Sequence, residues 1–126
     1  MPIVTIATNL PKAKFSLDFK TEFVKFCEDI FYRKGMMIVH LQSDADIGYG
    51  NVEDFAEQKP VVMISVEAIR SLTEEENSLR TKLISDYIGK SLSVPHDRIV
   101  VVFKPLQAQN VGYGGKVLSQ HEKMSK

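Results

Sequence analysis

Pro2-Ile3-Val4-Thr5-Ile6-Ala7-Thr8 reads against Pro60-Val61-Val62-Met63-Ile64-Ser65-Val66 with like residues at most positions. Each stretch is followed by a polar start signal, an amphipathic helix pattern and a second apolar run. Those second runs are Met36-Met37-Ile38-Val39-His40-Leu41 and Arg98-Ile99-Val100-Val101-Val102-Phe103. All four runs are short and rich in β-branched residues, which predicts strands. The chain therefore contains two similar βαβ halves, and the right-handed crossover rule makes the strands within each half parallel.

The spacing predicts a first helix from about Ser16 to about Tyr32. Phe19, Phe23, Cys27, Ile30 and Phe31 line one face, and Gly35 ends it. A second helix is expected to start near Thr73, where Thr73-Glu74-Glu75-Glu76 has the form of a capping box. Leu79, Leu83, Tyr87, Ile88 and Leu92 fall on its expected buried side, and Pro95 forbids much further helix.

The expected fold class is α/β: two βαβ pseudo-repeats forming a four-stranded sheet, with two helices on one face. The strands are apolar on both faces: Ile99, Val101 and Phe103 point one way, Val100 and Val102 the other. Two helices cover one face only. The other requires a cover from outside the chain, most simply further copies of it.

At 126 residues the chain fits one domain, expected over residues 1–115, with a polar, loosely held tail over 116–126. Sixteen basic residues balance sixteen acidic ones, so no charge excess points to nucleic acid or an anionic membrane as partner. The lone cysteine, Cys27, excludes an intrachain disulfide and a thiolate metal cage. No Sec-type signal peptide follows Met1 and no apolar run reaches bilayer-spanning length, so the expected compartment is the cytosol. Any export would use a route without a signal peptide.

Pro2 is the first candidate for chemistry. A small residue after Met1 permits removal of that methionine, which leaves a secondary amine as the chain terminus. Apolar surroundings disfavour the ammonium, and a neutral amine acts as general base on a carbon acid. On the residues alone a second reading stands beside this one: proline at the first residue of a strand avoids an unpaired N–H.

Pro2, then Thr8-Asn9-Leu10-Pro11, Ser65 with Ala68-Ile69, Asn77, Asp97-Arg98-Ile99 and Asn110-Val111-Gly112-Tyr113 together resemble the macrophage migration inhibitory factor and D-dopachrome tautomerase family. The resemblance runs from Pro2 to about Gly115. It implies the tautomerase fold and a homotrimer whose three sheets enclose a central channel. It also implies a keto–enol tautomerase site at each N-terminal proline, between subunits, for phenylpyruvate-like aromatic keto acids. A secreted, cytokine-like role with a cell-surface receptor often goes with it; no cofactor or metal does.

Carried over residue by residue, Pro2 matches the catalytic base and Ile69 the isoleucine whose backbone lies along the substrate. The lysine that meets the substrate carboxylate aligns with Arg33, or with Lys34 if a one-residue deletion is moved slightly. Arginine there would bind a carboxylate in bidentate fashion; a cation at a helix C-terminus is also favourable through the dipole alone. Two departures stand out. Val100 and Val102 replace the tyrosine and asparagine that approach from the adjacent subunit, leaving a more apolar pocket partly lined by aromatic residues such as Tyr113. They also favour a competing reading, a cytokine-like binding protein with little catalysis. The Cys-x-x-Cys of some relatives is here Val61-Val62-Met63-Ile64, which gives no support to thiol redox chemistry.

Other signals carry less. Asp44-Ala45-Asp46-Ile47-Gly48 resembles the start of a calcium loop, but its twelfth position is Phe55 rather than a carboxylate. Gly48-Tyr49-Gly50 and Gly112-Tyr113-Gly114-Gly115 read as turns, since neither joins a strand to a helix as a phosphate loop does. His40, His96 and His121 share no metal-binding spacing, and Cys27 reads as core. The stretch 51–59 is longer than the matching loop of the family, acidic and expected to be exposed, so that it remodels a pocket rim or a partner surface.

Overall fold

In the computed structural model the described residues are 2–32, 37–69 and 72–121. The elements run β1 (Ile3–Thr8), α1 (Phe19–Phe31), β2 (Ile38–Gln42), α2 (Val52–Glu57), β3 (Val62–Ala68), α3 (Glu74–Leu92) and β4 (Ile99–Pro105). A hairpin of β5 (Gly112–Tyr113) and β6 (Lys116–Val117) closes the described chain. The sheet order is β2-β1-β3-β4. β1 runs parallel to β2 and β3 parallel to β4, while the two halves meet antiparallel at β1 and β3 with Ile6 opposite Ile64.

Alternation along the strands sorts the two faces. Val4, Ile6, Val62, Ile64, Val66 and Ile99 pack with Phe19, Phe23, Cys27 and Phe31 of α1 and Ile84, Ile88 and Leu92 of α3. Each of the large side chains contributes roughly 1.5–3 kcal/mol by leaving water. Phe26 stacks on Tyr87 at 4.3 Å and Phe23 meets the same ring at 5.7 Å, while Arg80 reaches Phe31. These contacts set α1 and α3 antiparallel across one face of the sheet. The opposite face carries Met63, Val100 and Val102, exposed at 43%, 39% and 41%, so none of the described helices covers it.

The helix limits differ from the expected ones. α1 starts at Phe19 because Ser16, Leu17 and Asp18 form a turn, and it ends at Tyr32, whose φ of 55° takes the left-handed cap expected of Gly35. Gly35 lies outside the described residues. α3 begins as the capping box predicts: Thr73 Oγ1 accepts from Glu76 N and donates to Glu76 Oε1, both at 3.1 Å. Its buried stripe is Arg80, Ile84, Ile88 and Leu92 rather than one containing Leu79, which is 60% exposed. The hairpin also draws in part of the expected tail. Lys116 and Val117 pair with β5, and Leu118 is fully buried with its N–H on the Val111 carbonyl.

One side chain ties the end of β1 to two distant segments. Asn9 Nδ2 donates to the carbonyls of Ile47 (3.3 Å) and Lys59 (2.7 Å), and Asn9 Oδ1 accepts from Val61 N (2.9 Å). Beside it Thr8, fully buried, donates to the Val61 carbonyl at 2.8 Å.

Candidate active site

Pro2 is buried at the start of β1, and its carbonyl accepts from Ile38 N at 3.1 Å. Because Ile3 pairs with Glu67 across antiparallel strands, the register carries Pro2 alongside Ala68. Ile69, half-buried, follows directly. The fold thus brings Pro2 and Ile69 to the same end of neighbouring strands. Arg33 and Lys34 lie outside the described residues.

Val100 and Val102 are placed differently. Val100 pairs with Met63 and through it with Ala7; Val102 pairs with Ser65 and through it with Thr5. Pro2 sits level with Ala68 and Pro105, so at about 3.3 Å per residue Val102 lies roughly 10 Å and Val100 roughly 17 Å further along β4. Two strand spacings separate them from β1 as well. Within one chain, then, the valines do not meet Pro2. They form an apolar surface on the uncovered face, where a shallow cavity of about 240 Å³ is lined by Thr5, Ala7, Met63, Ser65, Val102 and Lys104. Tyr113 is half-exposed in the β5–β6 hairpin, with its ring 6.0 Å from His121 and its carbonyl 2.9 Å from His121 Nε2.

The stretch 51–59 is exposed as expected except at Asp54, but it folds into a short helix rather than a loop. Asn51 caps α2 by accepting from Asp54 N at 2.7 Å, and Asp54 itself is buried. Arg98 binds Asp54 through both guanidinium arms and gives its Nε–H to the Pro60 carbonyl at 2.8 Å. Tyr49 lays its ring 4.3 Å from the guanidinium carbon, donates its hydroxyl to the Asp97 carbonyl and gives its N–H to Asp54. The hydrogen bonds from Arg98, and then that from Tyr49 N, hold the Asp54 carboxyl below its ordinary value, while the Asp54 carboxylate in turn raises Arg98. The signal was present in Asn51 three residues before Asp54, a capping spacing. Nothing in the linear order pointed to Arg98 as its partner.

Arg80 is a second residue that the sequence reading passed over. It stands on the buried stripe of α3, four residues before Ile84, and a charge in that position is itself a signal. Cys27 is core: burial pushes its thiol up to about 12. Among the described residues, no three His, Cys, Asp or Glu side chains gather where they would hold a metal.

Comparison with known proteins gives this architecture its place. The family profile described as macrophage migration inhibitory factor (MIF) matches residues 1–119. The MIF-like protein mif-2 of Caenorhabditis elegans is 29% identical over 98% of this chain and 99% of its own. The macrophage migration inhibitory factor of Xenopus tropicalis is 23% identical over 94% of this chain and all of its own. Among solved structures, that of the factor from Oncomelania hupensis superposes with a TM-score of 0.82 at 25% identity, covering 91% of this chain and 95% of that one. The factor from Trichinella spiralis superposes at 0.81 and 21% identity, over 90% and 97%. The profile match over residues 1–119 and the shared four-stranded sheet place the chain in the macrophage migration inhibitory factor family of the tautomerase superfamily.

Proposed function

We propose that the protein is a keto–enol tautomerase for phenylpyruvate-like aromatic keto acids, with Pro2 as its base. The observation that carries this reading is a proline at position 2, buried at the sheet end beside Ile69. Once Met1 is removed, burial favours the neutral amine over the ammonium. The amine takes the proton from the carbon alpha to the ketone, the electron pair moves onto the carbonyl oxygen, and that oxygen is then protonated to give the enol. Arg33 or Lys34 holds the substrate carboxylate, and the backbone at Ile69 lies along the substrate.

The site is completed between subunits of a homotrimer. The exposed Met63, Val100 and Val102 on an uncovered sheet face support this assembly, since burying that face removes apolar surface from water. Val100 and Val102 of one subunit then line the pocket at Pro2 of the next, with Tyr113 at its edge. A second reading is favoured by those same valines, which offer substrate no hydrogen bond: a cytokine-like, receptor-binding protein that keeps the fold and catalyses weakly. An ultraviolet keto–enol assay on phenylpyruvate, comparing wild type with Pro2→Gly, separates them. Turnover abolished by the substitution supports the enzyme; equally slow conversion by both proteins rules it out.

A further inference from the structure

Leu79 stands 60% exposed on α3, and Tyr32, at the end of α1, is 83% exposed. Between them opens a cleft of about 360 Å³ walled by Ile30, Tyr32, Leu79 and Leu83. Leu79 also borders a second, more open hollow, with Glu74, Glu75, Ser78 and Lys82 around it. It is thus an apolar ridge between two depressions. The cleft is preformed, because the buried Arg80 joins the two helices at its floor. Arg80 Nε donates to the Ile30 carbonyl at 3.3 Å, its guanidinium carbon lies 5.0 Å from the centre of the Phe31 ring, and Nη1 stands 3.3 Å from Glu76 Oε2.

The rims of both depressions carry negative charge. Asp29 and Glu76 border the cleft, and Glu74 and Glu75 the hollow. Glu76 is answered by Arg80, and Lys82 is drawn to Asp86 at 3.0 Å. Among the described residues no cation pairs with Asp29, Glu74 or Glu75. The glutamates stand in the first turn of α3, where the positive pole of the helix favours them. Asp29 has no such support. It lies in the last turn of α1, near the negative pole, where no basic residue stands beside it. Two helices thus turn unpaired carboxylates toward one apolar ridge.

We propose that this surface docks a basic amphipathic helix of a partner protein. Two apolar side chains one turn apart on that helix straddle Leu79 and enter the two depressions, as ridges pack into grooves. Lysines or arginines beside them meet Asp29, Glu74 and Glu75, and that complementarity selects the partner. An acidic helix of the same apolar spacing is repelled. Since the cleft is held open by Arg80, little ordering of this chain opposes binding. The interaction is independent of any chemistry at Pro2.

The test uses a fluorescein-labelled helical peptide of leucine and lysine, with leucines at i, i+3, i+4 and i+7. One control replaces every lysine by glutamate; the other scrambles the order of the same residues. Anisotropy titration of the full chain is expected to show binding of the lysine helix that weakens as salt is raised, and little binding of either control. Leu79→Ala should weaken binding about tenfold or more, and the triple change Asp29→Asn, Glu74→Gln and Glu75→Gln about threefold or more. All four positions are exposed, so the variants keep the fold. No binding of the lysine helix, equal binding of a control, or binding unchanged by Leu79→Ala would overturn the proposal. A fall in the solution mass of the protein on Leu79→Glu would also overturn it, by assigning the surface to contacts between copies of this chain.

Discussion

Arg98 grips Asp54 with both arms of its guanidinium, Nη1 to Oδ1 at 3.0 Å and Nη2 to Oδ2 at 2.8 Å, across a sequence separation of 44 residues. The pair joins α2 to the residue just before β4, two positions ahead of Val100. A planar fork on a carboxylate gives direction as well as attraction, which lysine at position 98 would not supply.

The carboxyl of Asp54 is held low in the folded chain, so its contribution to stability is present above the ordinary aspartate value of about 3.9 and is lost as pH falls through the lower folded value. Asp54→Asn should therefore lower the unfolding temperature at neutral pH, and the gap to wild type should shrink in acid below about pH 4. Thermal melts of both proteins between neutral and acid pH check this. A gap independent of pH would mean that the pair contributes shape rather than charge.

Thr73 caps α3 with its hydroxyl on Glu76 N. Thr73→Ala should cost about 0.5–2 kcal/mol in urea unfolding, and Thr73→Asp should recover most of it.

The thiol of Cys27 is raised to about 12 by burial, so the folded state favours the neutral form. Its contribution is fully present below the ordinary thiol value of about 8.5 and is lost as pH rises from there toward the folded value. Native protein at pH 8 should react with an aromatic disulfide reagent far more slowly than protein in denaturant. Equal rates would show that the α1 face opens readily.

Met63, Val100 and Val102 form the uncovered face. Light scattering at micromolar concentration should give about three chain masses for wild type, as the oligomer reading requires. Met63→Glu should shift that mass downward by placing a charge in a desolvated interface.

Restoring a tyrosine at Val100 or an asparagine at Val102 should change kcat or KM for at least one aromatic keto acid by about tenfold or more, since a hydrogen bond to a charged group is worth roughly 1.5–3 kcal/mol. If both substitutions leave the constants within about twofold while Pro2→Gly abolishes turnover, the valines do not line the pocket.

The strands were legible because their two-sided apolar runs repeat in β1 and β3, and the start of α3 because Thr73 and Glu76 carry their capping chemistry locally. What escaped notice depends on contacts distant in sequence. Gly35 was the natural helix stop, yet Tyr32 turns the chain first, at the end that Arg80 supports from α3. Leu79 fits the apolar spacing as well as Ile84 does, and only the position of α1 decides which one is covered. Asp54 looked like one more surface acid because Arg98 lies 44 residues away. For the candidate site, Pro2 and Ile69 come to the same end of neighbouring strands through register alone, whereas Val100 and Val102 lie too far along β4 to reach Pro2 of their own chain.

Since Asn9 holds the carbonyls of both Ile47 and Lys59, the chain between them is a closed ring hung from the end of β1. Lengthening a ring whose ends are already joined is cheap: each doubling of length adds only about 0.6 kcal/mol of closure entropy. Residues can thus be inserted beside Gly50, where nothing crowds the backbone, provided that Tyr49, Asn51 and Asp54 keep their hold on Arg98 and Asp97.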